Sequence, residues 1–310
     1  MSRPADGSPA AVTVRVPATS ANLGPGYDSF GVALGRYDTV TARPAPPGEG
    51  PRIRVTGEGA DTVPLDESHL VYRSAMRGFA ELGQPAMALD LVCHNEIPHG
   101  GGQGSSAAAI VAGLAVARAL TADGAARLPD EALLDLASSI EGHPDNAAPA
   151  VLGSFTVAWQ GPDGRTRVVR RPVHPDIRLV LFSSAVGAST EQARALLPTQ
   201  VPHRDAVANV AAAALLVHAL TDEPALLLDA TADRLHQPYR ADALPATAQL
   251  VARLRGAGVA AVVSGAGPSV LAFVTAEQLG SDAARLWERP PDGFTAAILP
   301  VDTDGLQVST

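Results

Sequence analysis

The pattern of apolar and polar residues predicts that the chain begins with β-structure. Residues 12–16 (VTVRV) alternate as a half-buried strand does, with valine at every second position. Two turn-rich segments, at residues 18–26 and 43–51, contain frequent glycine and proline. Apolar residues then recur at helical spacing over residues 70–82, which predicts the first helix.

A run of glycines stands between a predicted strand and a predicted helix. The strand covers residues 88–94, and the alanine-rich helix begins near Ser105 or Ser106. Another helix is predicted over residues 130–140. It has an apolar stripe and is expected to stop at Gly142, because glycine readily takes the left-handed conformation that closes a helix. The glycine run therefore lies at a strand-to-helix junction.

The pattern changes after residues 160–165 (QGPDGR), the best candidate for a domain boundary. We predict an N-terminal domain over residues 12–160 and a C-terminal domain over residues 161–310, preceded by a disordered segment at residues 1–11. The mixture of strands and helices indicates an α+β class. From residue 151 on, strands are predicted at residues 151–159, 167–173, 178–183, 259–264, 269–274 and 294–301, and helices at residues 190–197, 206–220, 246–255 and 277–287.

The composition excludes several classes of protein. With 310 residues, 46% of them hydrophobic, the chain can bury one or two sizeable cores. Its net charge of -9 argues against broad binding to nucleic acid or to an anionic membrane, and its apolar stretches are too short to span a bilayer. The single cysteine, Cys93, cannot form an internal disulfide, and no basic-then-apolar leader precedes Val12, so we expect a cytoplasmic protein.

Lysine is absent from the sequence, so all 23 residues counted as lysine or arginine are arginines. This excludes Schiff-base chemistry and the GxxxxGK[ST] type of phosphate loop, because both need a lysine amine. If the chain binds phosphate, main-chain amides and arginine must hold it.

The glycine run is the strongest candidate for a binding site. Residues 97–114 read IPHGGGQGSSAAAIVAGL. The first amides of a helix have no partner within the helix and lie at the positive end of its dipole, so a glycine-rich approach to a helix can hold phosphate against bare backbone. A flexible turn before an ordinary N-cap would use the same residues. Four glycines and two serines at one junction favour the anion site.

Other polar clusters allow both a structural and a functional interpretation. Residues 141–146 (EGHPDN) suit a metal ligand with polar substrate contacts, but also a helix end followed by a cap. The segments at residues 22–28 (NLGPGYD) and 264–269 (SGAGPS) are either tight turns or places where the backbone approaches a ligand. Arg194 and Arg240 lie among small or apolar neighbours, where a guanidinium can bind a carboxylate, although most arginines are surface charges.

Taken together and in chain order, five segments resemble the homoserine kinases, a family within the GHMP kinases (galactokinase, homoserine kinase, mevalonate kinase and phosphomevalonate kinase). The segments read PATSANLGPGYDSFGVAL, IPHGGGQGSSAAAIVAGL, EGHPDNAAPAVLGSF, STEQARALLP and VSGAGPSVLAF. The resemblance implies an α+β fold of two domains, the first like domain 2 of ribosomal protein S5 and the second ferredoxin-like. The active site would lie between them. It also implies an ATP-dependent kinase that phosphorylates the side-chain hydroxyl of L-homoserine in threonine biosynthesis.

The same resemblance implies roles for residues at matching positions. Glu141, Asp145 and Thr190 would be catalytic, with Asp145 orienting the acceptor hydroxyl and its action as a base left open. Ser106 and Glu141 would bind Mg²⁺, and Thr190 would support Arg194. The implied ATP-binding residues are Pro98, Gly100, Gly101, Gly102, Gln103, Gly104, Ser105 and Ser106, and the implied substrate-binding residues are Asn22, Asp28, His143, Asp145, Asn146, Arg194, Arg240, Gly265 and Gly267.

The chain departs from the family pattern in the phosphate loop. The family reads PxGRGLGSS and this chain reads PHGGGQGSS, so Gly101 replaces an arginine and Gln103 a leucine. These changes remove a charge near the nucleotide and an apolar contact that anchors the loop. Two alternatives therefore stay open: a kinase for another small hydroxy amino acid or alcohol, and a catalytically inactive nucleotide-binding paralogue. Relatives are often dimers, so the resemblance also implies a homodimer.

Overall fold

The computed structural model of the chain describes residues 11–46, 49–281 and 284–310. Within these ranges strands and helices are mixed around two β-sheets. The α+β class predicted from the sequence is confirmed. The segment predicted to be disordered, residues 1–11, lies outside the described residues except for Ala11.

The strands form a seven-stranded and a four-stranded sheet. The first sheet has the order β11-β1-β2-β4-β3, and β5 pairs with both β2 and β6. Only β3 and β4 run parallel among its described pairs. In chain order the strands are β1 (Val12–Ala21), β2 (Phe30–Pro44), β3 (Arg52–Gly57), β4 (Leu89–Asn95), β5 (Phe155–Gln160), β6 (Thr166–Arg171), β7 (Ile177–Ser184), β8 (Ala260–Val263), β9 (Val270–Thr275), β10 (Phe294–Leu299) and β11 (Gln307–Ser309).

The helices pack against these sheets. The predicted stop at Gly142 is confirmed, since Gly142 has a φ of 91° and its N–H bonds to the Ser138 carbonyl. In the part of the chain that the structure describes, no helix is long and apolar enough to cross a membrane. In chain order the helices are α1 (Leu70–Glu81), α2 (Ser105–Leu120), α3 (Gly124–Arg127), α4 (Asp130–Glu141), α5 (Ala147–Leu152), α6 (Thr190–Ala195), α7 (His203–Thr221), α8 (Leu227–Ala230), α9 (Gln237–Arg240), α10 (Pro245–Gly256), α11 (Ala276–Leu279) and α12 (Arg285–Glu288).

The helix that follows the glycine run, α2, is the centre of the first core. Small residues fill it, so that it is buried on nearly all sides and α1 can approach its backbone closely. A side chain at Gly113 would come within 2.3 Å of the Val71 carbonyl oxygen. Such close packing on every side fixes the position of the amino end of α2.

The second sheet has the strand order β10-β7-β9-β8, and all its neighbours are antiparallel. Helices connect β7 to β8 and β9 to β10, whereas β8 and β9 form a hairpin. This β-α-β-β-α-β arrangement is the ferredoxin-like one, as the resemblance implies for the second domain. The likeness of the first sheet to domain 2 of ribosomal protein S5 stays a prediction.

The strand predicted at residues 151–159 is wrong in its first part. The helix α5 occupies that part, and β5 starts only at Phe155. A short apolar run fits either kind of element, and here Gly153, at a φ of 69°, separates the helix from the strand.

Two further elements differ from the prediction. The segment at residues 18–26 is not all turn, because β1 continues to Ala21. The helix predicted at residues 277–287 is described as two short helices, α11 and α12, and residues 282–283 between them lie outside the described ranges.

The two sheets do not divide the chain at residue 160. The strand β6 extends the first sheet by pairing with β5, and β11 returns from the end of the chain to pair with β1. The division into residues 12–160 and 161–310 stays a prediction. The loop after β4, the end of β1 and the β8–β9 hairpin meet at the amino end of α2, which places the candidate site where the two sheets adjoin.

Candidate active site

The glycine run follows a path that side chains would block. Gly100, Gly102 and Gly104 have φ values of 64°, 70° and 72°, in the left-handed region that favours glycine. A Cβ atom at Gly104, the N-cap of α2, would lie 1.9 Å from Thr19 Oγ1. A Cβ atom at Gly102 would lie 2.3 Å from the Ser264 carbonyl oxygen. The loop is therefore held against neighbouring backbone at the point where the α2 amides begin.

A cleft of about 120 Å³ opens beside this loop and gathers most of the predicted site residues. Pro98 and Gly101 lie outside it and line a neighbouring cleft instead. Gly267 lies behind the loop, with its carbonyl oxygen 2.8 Å from the position of a Cβ atom on Gly102. The predicted residues that line the cleft are Asn22, Asp28, Gly100, Gly102, Gln103, Gly104, Ser105, Ser106, Glu141, His143, Asp145, Asn146, Thr190, Arg194, Arg240 and Gly265.

Two oxygen-bearing side chains meet at the start of α2. Ser106 Oγ donates a hydrogen bond to Glu141 Oε2 at 2.8 Å. Burial raises the pKa of Glu141, although the bond from Ser106 works against this rise. Glu141 stands at the end of α4, so the packing of α4 against α2 brings its carboxylate into the cleft beside the start of α2.

A buried carboxylate lies in the middle of the cleft. Asp145 is 2% exposed, and its Oδ1 atom lies 2.8 Å from His143 Nδ1 and accepts a bond from Asn146 Nδ2 at 3.4 Å. Burial acts to lower the pKa of His143, but the hydrogen bond and the charge of Asp145 outweigh it, and the pKa is raised. Asn146 Oδ1 in turn accepts from Thr19 Oγ1 at 2.8 Å. These contacts fix the carboxylate in one orientation.

The opposite end of the cleft holds an ion pair. Arg194 donates from Nη1 and Nη2 to the two carboxylate oxygens of Asp28, at 2.9 and 2.8 Å. Asn22 Oδ1 accepts from the Asp28 N–H at 2.9 Å, and its Nδ2 donates to the Gly265 carbonyl at 2.9 Å. Asn22 and Asp28 have φ values of 67° and 55°, and such residues tolerate the left-handed region better than most.

A second arginine lines the same end from below the surface. Arg240 is 3% exposed, donates from Nε to the Ala193 carbonyl at 3.0 Å, and from Nη1 to His236 Nδ1 at 3.1 Å. Burial lowers the pKa of His236, so its neutral ring accepts from Arg240 and donates from Nε2 to the Gly24 carbonyl at 2.8 Å. The guanidinium is therefore held in place before any ligand binds.

Sequence reasoning did not single out the aromatic residue in this cleft. The Tyr27 ring lies 5.2 Å from the His236 ring, and the guanidinium carbons of Arg194 and Arg240 lie 5.5 and 5.8 Å from its centroid. Burial raises the pKa of Tyr27. Tyr27 belongs to the NLGPGYD segment, residues 22–28. Thr19 lies three residues before that segment, within PATSANLGPGYDSFGVAL, so the only signal for both residues was their place in this motif.

The arrangement combines three chemical capacities. Bare amides and a helix amino end can hold an anion, Ser106 and Glu141 offer oxygen ligands, and the paired charges at the far end suit a zwitterion. Asp145 lies between them. Phosphoryl transfer needs this kind of positioning and charge neutralisation more than covalent help from the protein.

Comparison with known proteins identifies the family of the chain. The family model described as "GHMP kinases N terminal domain" matches residues 69–154, and that described as "GHMP kinases C terminal" matches residues 212–289. A homoserine kinase from Streptomyces coelicolor is 52% identical over 300 residues, which cover 95% of this chain and 96% of that protein. The chain belongs to the homoserine kinase family of GHMP kinases. It is accordingly an ATP-dependent kinase.

Other members of the homoserine kinase family are similarly close. One from Clavibacter michiganensis is 51% identical over 309 residues, which cover 96% of this chain and 93% of that protein. The crystal structure of homoserine kinase from Cytophaga hutchinsonii has a TM-score of 0.81 at 27% identity and covers 97% of this chain and 98% of that one. A mevalonate diphosphate decarboxylase from Enterococcus faecalis, at 14% identity and a TM-score of 0.67, covers 96% of this chain and 98% of that one and shares the fold.

Proposed function

We propose that this member of the homoserine kinase family transfers the γ-phosphoryl group of ATP to the side-chain hydroxyl of L-homoserine, giving O-phospho-L-homoserine. One observation carries the proposal. A single cleft is lined by the glycine run and the amino end of α2, by the charged side chains of Asp28, Arg194 and Arg240, and by the Asp145 carboxylate, which lies within electrostatic range of both Glu141 and Arg194. Roughly half the sequence is identical to homoserine kinases over nearly their whole length, which supports this acceptor.

The phosphates of ATP would lie along the glycine run. Backbone amides from Gly100 to Ser106 and the dipole of α2 would stabilise their negative charge, because the amino end of a helix offers unpaired N–H groups. The chain contains no lysine, so these amides would provide the positive charge that a lysine provides in other phosphate loops. Preorganised amides also stabilise charge that develops during transfer.

The amino-acid end would bind the zwitterion. Asp28 would accept from the ammonium group, and Arg194 and Arg240 would bind the carboxylate. Asn22 and Gly265 hold the Asp28 loop against the β8–β9 hairpin through the Asn22 side chain. Arg240 is already held by the Ala193 carbonyl and His236, so little further ordering of this side chain is needed when the acceptor binds, whereas Arg194 would exchange Asp28 for the carboxylate.

Asp145 would orient the acceptor hydroxyl. Its Oδ1 atom is already bonded to His143 and Asn146, and the raised pKa of His143 keeps the imidazole proton close to this carboxylate. These contacts hold the carboxylate in one direction, which favours a role in orienting the hydroxyl. Thr190 lines the same cleft one helical turn before Arg194 and would help Arg194 to bind the carboxylate of the acceptor.

The residues at the phosphate end fit Mg²⁺. Ser106 Oγ and Glu141 Oε2 are 2.8 Å apart, close to the spacing of neighbouring oxygens around a cation with bonds of about 2.0–2.1 Å. We propose that these two residues hold Mg²⁺, which when bound would neutralise charge on the phosphate oxygens.

Three broader expectations belong to the same proposal. The product would enter threonine biosynthesis, the enzyme would work in the cytoplasm, and two copies of the chain would form a homodimer. The family membership supports the first. Light scattering on the purified protein tests the third, and a monomer at micromolar concentration would contradict it.

ADP release in a coupled assay with ATP and Mg²⁺ tests the reaction. The panel contains L-homoserine, L-serine, D-homoserine, 4-hydroxybutanoate and 3-aminopropan-1-ol, because the last two lack the ammonium and the carboxylate respectively. We expect turnover with L-homoserine and a loss of at least about 100-fold in kcat/KM without either charged group. Preference for a different alcohol would overturn the acceptor, and ATP binding without any turnover would indicate an inactive paralogue.

A further inference from the structure

Gln103 is the one residue with a side chain between Gly100 and Gly104. That side chain is 1% exposed. A glutamine amide has two donor hydrogens and an acceptor oxygen, and burying them without partners is unfavourable. The family pattern has leucine here, which anchors a loop by packing alone. An amide at this position must instead find partners in defined directions.

The Gln103 amide finds its partners in both halves of the molecule. Its Oε1 accepts from Arg36 Nη1 at 2.6 Å, and Arg36 lies in β2 of the first sheet. Its Nε2 donates to Ser183 Oγ at 3.0 Å and to Ser269 Oγ at 3.4 Å. Ser183 belongs to β7 and Ser269 directly precedes β9, so both serines belong to the second sheet. One buried side chain thus joins the two sheets through the phosphate loop.

The second half also holds the loop at two other points. The Gly102 carbonyl accepts from Ser264 Oγ at 2.6 Å, and the Gly100 carbonyl accepts from the Ala188 N–H at 2.9 Å. A loop with three glycines at positive φ has little conformational preference of its own. Its shape therefore depends on these outside contacts, most of which come from the second half of the chain.

We propose that Gln103 is a positioning residue, which holds the phosphate loop in its ATP-binding shape through Arg36 on one side and Ser183 and Ser269 on the other. It acts without its side chain touching the nucleotide. Alignment of the two sheets and affinity for ATP are then linked, because a shift of β7 would withdraw a partner from a buried amide. The inference rests on the proposed function only in that ATP occupies this loop.

The test compares Gln103→Ala, Ser183→Ala and the double variant. Binding of a non-hydrolysable ATP analogue is measured by calorimetry without any acceptor. We expect Gln103→Ala to raise the Kd by about 10-fold and Ser183→Ala by about 3-fold, in line with the loss of buried hydrogen bonds. The double variant should bind no more weakly than Gln103→Ala, because the two residues act through one contact. Thr221→Ala, which removes a hydroxyl bonded to the Val217 carbonyl within α7, should leave the Kd unchanged.

Kinetics separate positioning from a general loss of structure. Positioning predicts that Gln103→Ala raises the KM for ATP, with kcat at saturating ATP changed by less than about 3-fold and the KM for homoserine unchanged. If Gln103→Ala does not fold, as judged by thermal unfolding, the Ser183→Ala/Ser269→Ala variant should show the 10-fold loss. A normal Kd in that variant would overturn the inference.

Four results would count against the proposal in different ways. A large effect of Gln103→Ala with none of Ser183→Ala would mean that the glutamine contacts the nucleotide itself. Multiplicative effects in the double variant would mean that the two residues act separately. A wild-type protein that binds no ATP analogue would overturn the proposed function and this inference together, whereas normal wild-type binding with unchanged variants would overturn the inference alone.

Discussion

In the proposed function, ATP phosphates would meet main chain at one end of the cleft, and the amino acid would meet charged side chains at the other. The first surface depends on glycines whose left-handed backbone passes within contact distance of Thr19 and Ser264. The second depends on Asp28, Arg194 and Arg240, each already bonded to a neighbour. The first surface therefore requires residues without a side chain, and the second requires charged side chains at fixed positions.

This difference determines which changes each end tolerates. At Gly102 and Gly104, a single added methyl group is disruptive because it would lie 2.3 Å from the Ser264 carbonyl oxygen or 1.9 Å from Thr19 Oγ1. At the amino-acid end, shape matters less than the number and position of charges, since a buried guanidinium with no carboxylate partner is costly. Substitutions that separate steric from electrostatic effects therefore test the comparison directly.

The largest effect is expected from Gly104→Ala. The new Cβ would lie 1.9 Å from Thr19 Oγ1 in a residue with a φ of 72°. The left-handed conformation and the overpacking together cost about 2–5 kcal/mol, so kcat/KM for ATP should fall by about 30-fold or more. Gly256→Ala is the matched control, because no atom lies within 4 Å of that added methyl group. Near-normal ATP kinetics in Gly104→Ala would refute the steric description of this end.

Arg240→Ala should give the next largest effect, confined to the other end. We expect the KM for homoserine to rise by about 10- to 100-fold with little change in the KM for ATP, because a charge-assisted contact to the carboxylate is lost. Steady-state kinetics with each substrate varied in turn measure both constants. The exposed Arg253→Ala serves as the control for removing one arginine. Equal rises for both substrates would contradict the separation of the two ends.

Glu141→Gln tests the one charged group placed at the phosphate end. Glutamine keeps an oxygen for the bond from Ser106, so the local fold should survive, but the negative charge is lost. We expect kcat to fall by about 10-fold and the half-saturating Mg²⁺ concentration to rise. An unchanged magnesium titration would remove Glu141 from the metal site.

The smallest effect on activity is expected at the carboxylate beneath the start of the glycine loop, where a change alters stability instead. Asp38 Oδ1 accepts from the N–H groups of Glu96 and Ile97 at 2.9 and 3.0 Å. Burial raises the pKa of Asp38 to about 6, although these two bonds work against the rise. Because its pKa is higher in the folded chain than the ordinary 3.8, Asp38 contributes less to the free energy of unfolding as pH rises from about 4 to about 6.

Asp38→Asn should remove this pH dependence while keeping an oxygen for both amides. The free energy of unfolding of the variant, relative to wild type, should therefore increase between pH 4 and pH 7, by at most about 3 kcal/mol. Urea unfolding at several pH values measures it. Parallel pH profiles for the two proteins would show that Asp38 does not titrate in this window.

Local pattern predicted much of the fold. Periodicity and capping act over a few residues, so they predicted the helix α4 with its glycine stop, the strand β4 and the start of α2. The helix α5 was not predicted. Its six apolar residues fit either a strand or a helix, and only packing against the rest of the protein decides between the two. The local sequence also does not predict the strand β11, because this strand is defined only by its pairing with β1, almost 300 positions away.

The candidate site divides in the same way. The phosphate loop could be located from its own residues, and the roles given to Asp145, Glu141 and the arginines came from a resemblance and stay predictions. The bond between Asp28 and Arg194 spans 166 positions and that between Gln103 and Ser183 spans 80. No short motif encodes such contacts, because they exist only once the two sheets adjoin.

In the proposed function, the ion pair between Arg194 and Asp28 has the same two kinds of charge as the amino acid that would bind beside it. An amino acid brings one positive and one negative group, so its arrival is a change of partners in which the number of ion pairs is not reduced. An uncharged alcohol has no charged groups to exchange, so separating Arg194 from Asp28 would leave both side chains without an ionic partner. If Asp28 and Arg194 bind the acceptor as proposed, their ion pair would therefore disfavour neutral hydroxyl compounds at the binding step.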